Sequence, residues 1–87
     1  LKYPDKNDRI EIALIHLSKY AKSKNNKSLA EYIAEKCINY TGADIEAVIK
    51  NAVMLAFAEN EELSTKHVDE ALKMVIPVFK CVEKTRS

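Results

Sequence analysis

An all-α domain of four helices is predicted by three features of the chain. Apolar residues recur at helical spacing in four segments, no segment alternates apolar and polar residues as a half-buried strand would, and capping or turn-forming residues separate the segments. The 87 residues suffice for one domain with one core, of a size that hides roughly 60–65% of the surface its unfolded form exposes. With 47% apolar and 31% charged residues, the composition is that of a chain that folds.

The first helix is expected from Lys6 to Ala21, started by Asp5 just after Pro4. Ile10, Ala13, Leu14, Leu17 and Ala21 form its core stripe. Arg9, Ile12, His16 and Tyr20 form a second line, with Ile12 almost opposite the core stripe, and that face calls for a partner. The following stretch through Lys27 loses the apolar period and reads as an exposed lysine-bearing loop.

Ser28 and Glu31 fit the S-x-x-E capping box, which places a second helix from Leu29 to Ile38. Leu29, Ala30, Ile33 and Cys37 mark its buried side, and Asn39 suits the left-handed residue that ends it.

The third helix opens on Tyr40-Thr41-Gly42-Ala43-Asp44-Ile45, which holds the only glycine in the chain. Thr41 is the expected N-cap, with Asp44 at the third position complementing the positive end of the helix dipole. Gly42 and Ala43 add almost no side chain, so a ligand or another chain can approach this helix start closely; the plainer reading is a glycine that eases a turn. The helix runs to about Glu59, with Ile45, Val48, Ile49, Ala52, Leu55 and Ala56 on one face. Ala43, Ala47, Met54 and Ala58 on its other side suggest a central helix covered from more than one direction.

Ser64 or Thr65 caps a fourth helix carrying Val68, Ala71, Leu72, Val75 and Ile76, and Pro77 ends it. His67, in its first turn, is expected to face solvent or to cap. Residues 80–87 lose periodicity and read as a mobile tail.

Several function classes are disfavoured. Lysine and arginine number 14 against 13 aspartates and glutamates, so there is no general pull toward nucleic acid or an anionic membrane. No apolar run approaches the roughly 20 residues of a membrane span, and the first residues resemble no signal peptide. Cys37 and Cys81 form no CxxC pair and lack partners at metal-ligand spacing, which points to a reducing, intracellular setting without a zinc site. Phosphate-loop, zinc-protease, nucleophile-elbow and EF-hand motifs are absent. The pairs Glu31/Glu35 and Glu59/Glu62 read as solvated faces without the apolar setting that acid–base work needs. Taken alone, the chain is expected not to be catalytic, and its start without a methionine suggests a fragment.

The order of signals nevertheless resembles one family. Pro4-Asp5, then Asp8-Arg9-Ile10-Glu11-Ile12-Ala13-Leu14-Ile15-His16, then Tyr40-Thr41-Gly42-Ala43-Asp44-Ile45 with Ala52 and Ala56, then Leu63-Ser64, His67-Val68 and Ala71-Leu72, together resemble the C-terminal helical lid of AAA ATPases. The likeness is closest to the subgroup of valosin-containing protein, proteasomal ATPases and membrane metalloproteases. It covers about Tyr3 to Val78.

The resemblance implies an ATP- or ADP-binding site whose phosphate loop, magnesium ligands and arginine finger belong to a large domain outside this chain. It implies that His16 contacts the nucleotide and that Gly42 and Ala43 start a helix whose tip abuts it. It further implies residues 1–5 as linker, residues 6–79 as the lid, and a parent that is a hexameric protein-remodelling or unfolding machine. Partners would then be the large domain, neighbouring subunits and a protein substrate, with no nucleic acid or membrane contact by the lid, in an intracellular and cytoplasmic setting. Cys37 and Asn39 stand where the family usually has threonine and glycine, and no phosphate-sensing arginine occurs between Thr41 and Ile45. The alternative is a free-standing helical interaction module that docks a partner helix on the Ile12/Tyr20 face or against Ala47 and Ala58.

Overall fold

A computed structural model describes residues 3–21 and 24–75. The described residues form four α-helices and no strand: α1 (Lys6–Tyr20), α2 (Asn26–Lys36), α3 (Gly42–Ala58) and α4 (Thr65–Met74). This is the all-α, four-helix bundle that the periodicity predicts. α4 ends at Met74 with Val75 already extended as its C-cap, short of the expected end at Pro77; Ile76, Pro77, Cys81 and the tail lie outside the described residues.

α1 begins where Asp5 Oδ1 accepts the amide of Asp8 at 2.8 Å, satisfying one of the free donors of the first turn. It packs against α2 and α3, and α4 packs on α3. Leu17, Ile33, Ile45, Ile49, Val48 and Val68 are fully buried where these helices meet, each contributing about 1.5–3 kcal/mol by leaving water. Cys37 packs among them as a small hydrophobe; burial pushes its thiol up to about 12, so it stays protonated and unreactive.

Arg9 departs from the sequence reading. It stands not on the spare face but in the interior, nine-tenths buried, one turn ahead of Ala13 on the core side of α1. Its Nε donates to the carbonyl of Ala34 at 2.7 Å and its Nη1 to the carbonyl of Pro4 at 2.9 Å. Ala34 lies in the last turn of α2, whose carbonyls lack helical partners and carry the negative end of the dipole. The guanidinium satisfies such a carbonyl and supplies the complementary charge.

α2 also corrects an expectation. It starts at Asn26 rather than Leu29, with Asn25 at the cap position, so Ser28 lies inside the helix and the Ser28–Glu31 capping box is not formed. Asn26 Nδ2 donates back to the Ala21 carbonyl at 2.9 Å, which ties the loop closed and lets the helix begin early. It ends at Lys36 with Cys37 as C-cap, two residues before Ile38, and Asn39 adopts the expected left-handed conformation at φ 65°.

α3 is central, between α1 and α4, but its small-residue side is covered only in part, with Ala47 half-buried. Ala43 and Ala58 are exposed, and Met54 and Phe57 are 67% and 86% exposed. α4 starts at Thr65 with Ser64 as N-cap, and His67 is buried rather than solvent-facing.

Candidate functional site: the seam between α1 and α3

At the start of α3 the predicted cap is in place as a capping box. Thr41 Oγ1 accepts the Asp44 amide at 3.1 Å, and Asp44 Oδ2 accepts the Thr41 amide at 3.1 Å. The amides of Gly42 and Ala43, the first two of the helix, have no helical acceptor. Gly42 does not have a positive φ. A β-carbon placed on it would meet only Ile12 Cδ1, at an ordinary 3.9 Å. Neither turn geometry nor packing within the described residues therefore requires glycine here.

Gly42 and Ile12 share a shallow cleft of about 390 Å³ with Tyr3, Pro4, Asp5 and Asp8. Its lining mixes apolar groups of Pro4 and Ile12 with the two carboxylates of Asp5 and Asp8. That combination suits a flat, uncharged ring or a sugar and repels phosphate.

One turn further along both helices, His16 of α1 stands against Glu46 of α3, with Nδ1 3.7 Å from Oε2. Tyr20 completes the line. Its hydroxyl donates to the same Oε2 at 3.0 Å, and its ring stacks on the imidazole with centroids 6.3 Å apart and planes 19° off parallel. Lys50 Nζ reaches Oε2 at 4.0 Å, and Lys19 and Lys50 each stand 5.5 Å from the Tyr20 ring centre. The Tyr20 hydrogen bond foremost, then Lys50, His16 and Lys19, hold the Glu46 carboxyl below its ordinary value against the opposing effect of desolvation. Glu46 is therefore a carboxylate at neutral pH.

The imidazole itself is not satisfied. His16 Nδ1 is buried without a hydrogen bond, because 3.7 Å to Glu46 is beyond hydrogen-bond reach. The ring as a whole keeps 21% exposure.

The structure thus brings Gly42 into a cleft with Ile12 and sets His16 on the same seam one turn away, outside the cleft lining. Ala43 is exposed beside the cleft without lining it. Glu46 was missed by sequence reasoning, although its spacing of four from Gly42 places it on the same face of α3.

A second cluster was tested as a metal centre. Glu59, Glu61 and His67 offer ligand atoms within 4.8 Å of one another. The Ser64 amide, however, donates to His67 Nδ1 at 3.1 Å, which leaves the neutral ring's proton on Nε2, donating to Glu59 Oε1 at 2.9 Å. A metal would need that nitrogen's lone pair, and Lys66 Nζ already reaches both carboxylates at 3.4 and 2.9 Å. The cluster fits a helix cap, not an ion.

Residues 28–70 match the AAA+ lid domain family. The chain is 41% identical over 90 residues to a cell division cycle protein 48 homologue of Archaeoglobus fulgidus, an alignment covering 85% of this chain and 12% of that protein. It is 32% identical over 78 residues to the uncharacterised AAA domain-containing protein ycf46 of Pyropia yezoensis, covering 90% of this chain and 16% of the relative. The ycf46 protein of Guillardia theta is 32% identical over 75 residues, covering 86% and 15%. The chain thus spans only 12–16% of the length of these curated relatives.

Proposed function

From the AAA+ lid domain carried by residues 28–70, we propose that this chain is the C-terminal lid of a larger AAA ATPase and closes over a bound adenine nucleotide with its α1–α3 seam. The observation that carries the reading is Gly42: nothing among the described residues requires glycine there, yet it lines a cleft with Ile12 at a helix start. A missing β-carbon is explained when something outside the fold must come close.

The residues present fit such a ligand. The cleft suits a base or ribose, Gly42 and Ala43 leave the helix tip bare, and His16 adds a polar group on the same seam with a nitrogen open to a partner. The two aspartates of the cleft disfavour phosphate there, and in this reading the phosphates, with the magnesium they carry, are held by the large domain. When bound, ATP supplies the hydrolysable phosphoanhydride; this chain's residues orient the base and sugar and keep water off them.

Closure must be driven by contacts that differ between open and closed states. In the parent we assign the lid to a hexameric, intracellular machine that remodels or unfolds proteins, where hydrolysis moves the lid against its neighbours. Exposed Met54 and Phe57 give α3 an apolar surface for the large domain or the next subunit.

Titration calorimetry tests the nucleotide reading. The 87-residue chain should bind ATP negligibly, because most of the contacts lie elsewhere, while His16→Ala in the parent protein should weaken ATP binding by about tenfold, the loss of one good polar contact. Micromolar binding by the isolated chain, or unchanged affinity in the variant, would overturn the assignment.

A further inference from the structure

We propose that Glu46, held in place by Tyr20, keeps the proton of neutral His16 on Nδ1, so that Nε2 is presented outward as a hydrogen-bond acceptor. The significance of this for nucleotide binding rests on the function proposed above; the protonation itself does not.

The geometry leaves little alternative. His16 Nδ1 is buried, and the nearest charged group is Glu46 Oε2 at 3.7 Å. If Nδ1 carried the lone pair, a buried acceptor would face a carboxylate with no donor between them, an arrangement both unsatisfied and repulsive. If Nδ1 carries the proton, its N–H points toward negative charge. Tyr20 prevents the carboxylate from swinging away, since its hydroxyl donates to that same oxygen at 3.0 Å while its ring stacks on the imidazole. Lys19 and Lys50 are the cations facing this group, and Lys50, 4.0 Å from Oε2, lies too far to take the oxygen over.

Nε2 has no partner among the described residues and is the ring nitrogen that solvent reaches. With the proton turned inward, anything His16 binds must offer an N–H or O–H donor. Glu46 and Tyr20 are positioning residues: neither needs to touch the ligand, yet together they decide what kind of group it must present.

His67 supplies an internal standard, because the Ser64 amide at its Nδ1 forces the opposite tautomer. Long-range proton–nitrogen correlation NMR on the ¹⁵N-labelled chain, at about two pH units above the ordinary imidazole value of ~6.5, reads both rings in one spectrum. The expected result is a protonated Nδ1 for His16 and a protonated Nε2 for His67. Glu46→Gln should lower the His16 ratio of Nδ1–H to Nε2–H by about fivefold or more, because the anionic acceptor is gone, and leave His67 unchanged. Should that variant fail to fold, Glu46→Ala and the unmodified chain still decide the matter. An Nε2–H form of His16 in the unmodified chain, or a ratio that Glu46 substitution does not move, overturns the inference. Either result would leave the nucleotide reading standing, whereas loss of that reading in calorimetry would not alter the tautomer.

Discussion

His16 and His67 each lie against glutamates, yet their surroundings differ in one respect. At the start of α4, His67 is 1% exposed and both its nitrogens are engaged, one by the Ser64 amide and the other by Glu59. On the α1–α3 seam, His16 keeps 21% of its surface and has a buried nitrogen with no hydrogen bond. A polar side chain whose capacity is used up inside the fold is a structural device. One that is held in place by a neighbour but not satisfied is available to something else. The proposed function draws on that contrast: His67 is spent within the fold, while His16 is not.

The largest expected effect separates the two directly. His67→Ala removes a buried ring, the N3 partner of a capping box and the donor to Glu59, and should cost about 2–4 kcal/mol of stability in urea or thermal unfolding. His16→Ala should cost less, about 1 kcal/mol, because the partly exposed ring has no satisfied hydrogen-bond network to lose. Equal losses at the two positions would erase the distinction.

A smaller effect sharpens the seam itself. Tyr20→Phe deletes the hydroxyl that does most to depress the Glu46 carboxyl, so that group should titrate at higher pH in the variant, followed by carboxyl carbon NMR. The sign follows from linkage: a carboxyl depressed in the folded state stabilises above its unfolded value, and that contribution is lost as pH falls through the folded value. The variant should lose less stability on acidification than the unmodified chain.

The smallest effect concerns Gly42. With φ outside the left-handed region and 3.9 Å of room, Gly42→Ala should leave the isolated chain unchanged or stabilise it by up to about 1 kcal/mol. A clear loss of stability would mean that the fold itself needs the glycine.

Much of this was readable from sequence. Spacing alone identified the four helices, the Thr41 cap and the left-handed Asn39, because local chemistry decides them. It read Ile12, His16 and Tyr20 as a face apart from the core, whereas Ile12 and Tyr20 pack against the core's edge and Glu46 of α3 stands against His16 and Tyr20. What failed depended on tertiary contacts. Ser28 looked like a cap until the Asn26 side chain closed the loop onto Ala21 and let the helix begin earlier. Arg9 occupies positions 9, 13 and 17 of one buried line with Ala13 and Leu17, but its charge argued against burial, and only the carbonyls of Ala34 and Pro4 make that position favourable. His67 reads from sequence as facing solvent or capping; it caps, accepting the Ser64 amide, but its burial beneath Glu59 was not legible. The Glu46–Tyr20 pairing joins two helices 26 positions apart in sequence, and no local pattern announces it.

Arg9 also has a mechanical role. One guanidinium grips both the irregular segment at Pro4, just ahead of α1, and the far end of α2 at Ala34. Tilting α1 away from α2 would break the buried Arg9–Ala34 hydrogen bond, so the two helices are coupled at that point.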